Sequence, residues 1–489
     1  MFRLFRAPLL RPLFFGLLAL AVVPLSPPAS AAPREVRGTW LTTTGPDSIR
    51  SGLRTAATAA ELRRVGINTV YGEAWKNGAT QFASPTLAAF TGGIDRSLAL
   101  GSRDLVEEVG IQAHRQGQLH YAWFEYGLAA QFVGSGGTPS NPLAKRARER
   151  GWLLQDASGR YANGSNGFAW MNPAVPEVRE LIVGITLDSI RRHDLDGVQF
   201  DDRLAWPAEF GFDATTAALY REQTGRSLPA RADDAAFRSW RQDQVTTLAR
   251  EISRAVRAEA PGVRLSLSPS VTGFSDRAYN APWTRWLEEG LFDEYVPQVY
   301  RADLAAYRQA LTQNAAPFQA GGRLGDLVVG LRLNGSGADT ELGVLRQQIV
   351  DAALLPGGGA AGHAIFYAKG VLENADALAA FYGGERDPPF FASDRRPPPR
   401  VASPDAADGL WRVEVAESMS YRVVAEIAGR WVEVDRRFLA AGPASFAVPG
   451  ATAVELLVDR RARHAVPEPA AAAVLLLAPA LVARRRRAA

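Results

Sequence analysis

The sequence predicts a (β/α)₈ barrel, an α/β fold of the TIM type, followed by a small all-β module. Three observations carry this. Between residues 34 and 385 strand-like runs alternate with helical stretches, the pattern of a parallel sheet with crossover helices. The strand-like runs number eight, the count that closes such a barrel. Beyond a Pro-rich stretch, residues 403–463 change to short alternating strands separated by turn residues. The 489 residues leave room for both parts, and 47% apolar content supports a sizeable core.

The eight runs are Val36–Thr42, Thr69–Glu73, Leu119–Glu125, Gly197–Asp201, Arg264–Ser268, Glu294–Tyr300, Leu327–Leu331 and Ala364–Tyr367. Helices are expected over Ala56–Val65, Arg103–Gln116, Val178–His193 and Phe237–Ala258. Gly66, Gly117 and Pro261-Gly262 supply stop signals just past three of them. The segment 386–402 holds Pro388, Pro389 and Pro397 to Pro399 and reads as a stiff linker. In the module, strands are expected over Trp411–Val415, Tyr421–Ile427, Arg430–Val434 and Ala453–Val458, with Gly429 turning a hairpin. This reads as a small β-sandwich, a glycan-binding or spacer unit, in which no residue suggests chemistry.

Barrel active sites lie at the C-terminal ends of the strands. The residues there are Glu73, Trp75, Lys76 and Asn77 after strand two, and Trp123, Glu125 and Tyr126 after strand three. Asp201, Asp202, Arg203 and Trp206 follow strand four; Gln298, Tyr300 and Arg301 end strand six. Acids and aromatics thus collect at one rim. Sugars need this mixture, with aromatic faces for C–H groups and carboxylates and amides for hydroxyls. In the run Gly197-Val198-Gln199-Phe200-Asp201, Val198 and Phe200 suit the helix-packed face, so Gly197, Gln199 and Asp201 face the axis. Asp201, Glu125 and Asp202 are therefore the candidate catalytic acids. Glu73, Trp75, Asn77, Trp123, Trp206, Gln298, Tyr300 and Arg301 are candidate substrate contacts. The bland alternatives are a helix-capping Asp202, a Glu125 that only pairs with Arg203, and tryptophans that serve the core. His193, on the helix before strand four, reads as a surface residue.

Composition narrows the chemistry. Without cysteines there is no thiol nucleophile, thiolate metal site or disulfide. The five histidines show no metal-ligand spacing, so no metal or other cofactor is expected and a metal-assisted deacetylase is disfavoured. The net charge of +4 comes from arginines at the two ends, and a slightly acidic body gives no nucleic-acid footprint.

Residues 1–31 read as a signal peptide: Arg3, Arg6 and Arg11, the apolar run Leu13 to Leu25, then Ala29-Ser30-Ala31. At the far end, 466–487, Val466-Pro467-Glu468-Pro469 precedes an Ala/Leu-rich stretch and Arg484 to Arg487. This order resembles the PEP-CTERM sorting signal of Gram-negative bacteria. The resemblance implies a transient inner-membrane anchor, an exosortase-type sorting machinery as partner, and delivery to the periplasm, cell surface or extracellular matrix.

A second resemblance covers roughly residues 34–385. Its strings are Arg34 to Thr42, Ile67-Asn68-Thr69-Val70-Tyr71, Trp123-Phe124-Glu125-Tyr126-Gly127, Trp170-Met171-Asn172-Pro173, Asp196 to Asp202, Ser266-Leu267-Ser268-Pro269 and Gln298-Val299-Tyr300-Arg301. In this order they resemble the glycosyl-hydrolase-like 10 family of bacterial envelope barrels. The resemblance implies export and glycan hydrolysis, with cell-wall glycan as one substrate class, and lends weight to Glu125, Asp201 and Asp202. Tyr71-Gly72-Glu73-Ala74-Trp75 departs from it by an extra acid. More loosely, Asp196-Gly197 with Asp201 on strand four, and Tyr300 ending strand six, are similar to chitinase family 18. There the substrate's N-acetyl group is the nucleophile; Gln199 and a missing final Glu depart from that pattern.

The expectation is an exported glycoside hydrolase with a polysaccharide substrate, cut in envelope or exopolysaccharide glycan by carboxylates at the barrel mouth. The alternative is a non-catalytic glycan-binding or matrix protein.

Overall fold

The computed structural model describes residues 34–44, 48–335, 337–387 and 399–461. The expected signal peptide, the sorting tail and most of the Pro-rich linker lie outside the described residues. No described helix is long and apolar enough to cross a membrane.

All eight barrel strands form: Val36–Leu41, Thr69–Glu73, Leu119–Phe124, Gly197–Asp201, Arg264–Ser268, Glu294–Tyr295, Val328–Arg332 and Gly362–Phe366. They pair in parallel, in chain order from the sixth back to the first and on through the eighth to the seventh. The ring closes between the sixth and seventh strands through the bridges Tyr295 to Leu327 and Gln298 to Gly330. The sixth strand is shorter than its sequence suggests. Pro297 has no N–H to give, so the regular ladder stops at Tyr295. The seam then closes by Gly330 N–H donating to the Pro297 carbonyl at 3.0 Å. A side chain at Gly330 would bring its Cβ within 2.7 Å of that oxygen, so the seam needs glycine.

The helices form where apolar spacing and stop signals coincide. The first spans Gly52–Val65, four residues earlier than its apolar pattern alone indicates, because the Ser51 hydroxyl caps it. Gly66 ends it in the left-handed conformation. Others span Leu105–Arg115, Pro176–Arg192 and Ala235–Glu259.

Strand alternation sorts the core into two shells. Val198, Phe200, Ala122 and Phe124 face outward into the large helix-packed cluster. Trp40, Tyr71, Tyr121, Trp123, Val296 and Ala364 fill the barrel interior. A chain of polar groups threads that interior. Trp40 donates its indole N–H to Gln199 at 2.7 Å, Gln199 donates to Ser266 at 2.9 Å, and Ser266 and Tyr71 donate to Glu294 at 2.6 and 3.0 Å. Burial raises the Glu294 carboxyl above its usual range.

The C-terminal module is a two-sheet sandwich. One sheet orders Arg400–Val401, Ala451–Val458, Met419–Ile427 and Arg430–Leu439; the other orders Ser403–Pro404, Trp411–Val415 and Gly442–Phe446. Gly442–Phe446 is a strand the composition does not announce, with small Gly442 and Ala444 half-buried and only Phe446 turned fully into the core. In the larger sheet Val423, Ala425 and Leu456 face the module's own core. On its other face Val424 and Leu457 pack on Ile111 of the barrel helix Leu105–Arg115. Ion pairs surround that contact: Arg115 with Glu455 at 2.8 Å, Arg430 with Glu108 at 3.2 Å, and Arg422 with Glu107.

Candidate active site

The site sits where strands two, three, four and six end at the barrel mouth. Asp201 is the last residue of strand four. Its Oδ1 accepts the Gln298 amide and the Asp202 N–H, each at 2.7 Å, and its Oδ2 lies 3.1 Å from Arg203 Nη1. Asp202 accepts the Ser270 hydroxyl at 2.9 Å and lies 3.7 Å from Arg203. The same Arg203 nitrogen donates to the Glu125 carbonyl at 3.1 Å, tying strand three to strand four. One guanidinium thus holds both acids of strand four and the main chain at Glu125.

Burial and the neighbouring Asp202 hold the Asp201 carboxyl well above the usual aspartate range, against the pull of Arg203. Glu125 follows strand three. Burial, then repulsion from Glu73, pushes it up to about 7 although Lys76 Nζ stands 2.8 Å from Oε2. Lys76 also pairs with Glu73 at 2.9 Å; burial works against its charge, but Glu73 and Glu125 outweigh that and hold it above its ordinary range. Glu125 and Asp202 keep 15% and 16% of their side chains exposed against 7% for Asp201, so the first two are the acids that open to solvent.

Glu73 is saturated. Besides Lys76 it accepts from the Thr42 hydroxyl and Thr43 N–H at 2.8 Å, the Thr43 hydroxyl at 2.5 Å and the Gln81 amide at 2.9 Å. It braces the site from a fully buried position. Tyr300 lies tilted against Phe366 at 5.7 Å, and burial together with Asp201 and Asp202 holds its hydroxyl well above the usual range. Arg301 turns back to the Tyr300 carbonyl at 2.8 Å.

The tryptophans stand elsewhere than a sugar-contacting role requires. Trp75 and Trp206 are fully buried, and their indole N–H groups are spent on the carbonyls of Gly127 and Phe210, both at 3.0 Å. Trp206 packs edge-on against Trp240. Trp123 is sealed inside the barrel beside Trp40. Asn77 takes a positive φ of 52° in the Asn77-Gly78 turn between Trp75–Lys76 and Ala79–Thr80, and its Oδ1 accepts the Phe132 N–H at 3.1 Å. His193 is buried rather than exposed, held between Ser189 and Asp104.

Residues 35–331 match the family model described as Glycosyl hydrolase-like 10, more than half of the chain. This chain belongs to the glycosyl hydrolase-like 10 family. Among curated proteins, glycosyl hydrolase DigH of Escherichia coli strain K12 is 25% identical over 264 residues, 49% of this chain and 56% of that protein. Glycosyl hydrolase YngK of Bacillus subtilis is 29% identical over 147 residues, 27% of this chain and 28% of its own length. The chain thus spans just over half of one relative and less of the other. The glycoside hydrolase domain of PgaB from Bordetella bronchiseptica superposes with a TM-score of 0.51 at 16% identity, covering 71% of this chain and 98% of that structure. That likeness establishes the shared barrel fold.

Sequence reasoning passed over Tyr279. Its ring lies in the field of Asp202 and Arg203, and burial, then Asp202, raises its hydroxyl. Nothing in the string Ala278-Tyr279-Asn280 signals this. The Asn280 amide donating to the Trp206 carbonyl, and Trp206 N–H donating to the Tyr279 carbonyl, both at 2.8 Å, lace the two loops together in space.

Proposed function

We propose that this protein is an exported glycoside hydrolase that cuts envelope or exopolysaccharide glycan, N-acetylated cell-wall glycan among the candidates. The observation that carries the reading is the gathering of Glu125, Asp201 and Asp202 at one mouth against Lys76 and Arg203. Glu125, with a carboxyl near 7, still holds its proton close to neutral pH and is suited to protonate the leaving glycosidic oxygen. The Asp201–Asp202 pair stands against Arg203 and is suited to face the cationic sugar carbon or to activate water. Gln298 and Ser270 orient that pair. In this reading Lys76 and Glu73 are supports that set the Glu125 proton, and Tyr300 is a wall of the sugar site.

Export by residues 1–31 and sorting by residues 466–487 through an exosortase-type machinery complete the reading. Cell fractionation of chains with and without residues 466–487 tests the sorting: loss of the tail should change where the protein ends.

The enzymatic test compares the purified protein with its Asp201→Asn variant on peptidoglycan strands, with and without stem peptides, and on soluble polysaccharides, with products read by mass spectrometry. Products from the parent alone are expected. No product from either, with binding retained, would replace the hydrolase with a glycan-binding protein.

A further inference from the structure

Beside the acids runs a line of aromatic rings contributed by two segments, the one between strands three and four and the one after strand five. Phe132, in the hairpin after strand three, meets Phe168 at 5.0 Å between centroids. Phe168 meets Trp170 at 6.1 Å, Trp170 meets Tyr279 at 5.9 Å, and Tyr279 meets Phe274 at 4.9 Å. Trp170 is fully buried and serves as the footing, whereas Phe168 and Tyr279 are half-buried above it. The two end rings are the open ones: Phe132 is 56% exposed and Phe274 48%. Large apolar rings left in water at a barrel mouth need a reason, because burying them elsewhere would stabilise the fold.

The line is continuous with the acid cluster. The Arg203 guanidinium, which pairs with Asp201, lies 4.8 Å above the Phe168 ring and 5.4 Å from Tyr126. Tyr279 stands in the field of Asp202. One ligand would therefore meet carboxylates and flat apolar faces together. A lipid or protein side chain would match the faces but leave the acids unserved. A pyranose matches both, with its C–H face on a ring and its hydroxyls on the acids and Arg203.

We propose that this aromatic line is an extended glycan-binding floor, with Phe132 and Phe274 as outer contacts for sugar rings on the two sides of the acids. The inference rests on the glycoside hydrolase reading and deepens it: the ligand is a linear chain several pyranoses long, held along its interior rather than by one end.

The test uses the full chain carrying Asp201→Asn, so that ligand is not cut, with two-ring and six-ring N-acetylglucosamine oligomers as probes in titration calorimetry. Phe132→Leu and Phe274→Leu keep apolar bulk but lose the flat face, while Phe132→Trp and Phe274→Trp keep it. Each leucine variant should weaken six-ring binding about tenfold and leave two-ring binding unchanged, and the tryptophan variants should bind like the parent. Unchanged six-ring affinity in both leucine variants would overturn the floor while leaving the hydrolase reading intact. Equal loss for both lengths would overturn it too, because it would place the damage at the acids. If the parent binds neither oligomer and cuts no glycan, the hydrolase reading falls and the floor falls with it.

Discussion

Strand four carries a buried aspartate at each end, and the two lead different lives. Asp196, just before the strand, accepts the His120 N–H at 2.9 Å, meets His114 at 3.0 Å and has Arg460 of the module at 3.4 Å. Nearby, Asp194 lies 3.7 Å from Arg422, a module arginine only 1% exposed. At the base, then, acids are matched by arginines and closed off from water. Asp201, five residues on, shares one arginine with Asp202, beside Glu125 and the saturated Glu73. At the mouth the four acids outnumber the paired cations Lys76 and Arg203, some face solvent, and burial raises the carboxyls of Asp201 and Glu125. The same residue type on the same strand is closed in by histidine and a module arginine at the base, and shares one arginine with a second aspartate at the mouth.

Four changes would break or sharpen this contrast. Asp201→Asn should lower glycan cleavage by about 10²–10⁴-fold, the usual share of a positioned acid or base, with the melting temperature nearly unchanged. Arg422→Ala should do the reverse. It removes the buried guanidinium that lies against Glu107, Glu433 and Asp194 and should cost about 3–5 kcal/mol in urea unfolding, while cleavage by the folded protein stays the same. An activity loss from Arg422→Ala at temperatures where the protein remains folded would erase the distinction between base and mouth.

The third change tests the proton at the mouth. Glu125 is raised from 4.5 to about 7, so it favours the folded state at low pH, and that contribution is lost as pH rises from about 4.5 through 7. Its protonated form also disappears above 7, which should set the alkaline limb of the pH–rate profile. Lys76→Met removes the cation that favours the ionised form, so the limb should move upward by about one pH unit. A limb that stays in place would detach Glu125 from the proton-donating role. The smallest effect belongs to Arg430→Ala. Arg430 is 46% exposed in its pair with Glu108, and its loss should cost under about 1 kcal/mol by thermal unfolding.

Much of the site was legible because strand alternation is a local rule. Gln199 could be turned toward the axis from its polarity alone, and the structure shows it bonded to Trp40 and Ser266 there. That turn carries Asp201 to the mouth two residues later. Trp75, Trp123 and Trp206 misled for an equally physical reason: a large ring near a strand end can face either way, and only packing decides which. The rings left open, Phe132 and Phe274, sit on a short strand and a short helix outside the barrel pattern, too brief for periodicity to set their direction.

By itself the sequence determined the parallel barrel, its eight strands in order, the rim on which acids gather and the β character of the module, since period, stop residues and polarity act over a few neighbours. Only the tertiary structure decided that Glu125 stands against Lys76, that Arg203 binds Asp201 while lying over Phe168, and that Arg422 reaches Asp194 from more than two hundred residues away. Those pairings depend on burial and on distances across the folded chain, and burial is what turns an ordinary carboxyl into one that keeps its proton near neutral pH.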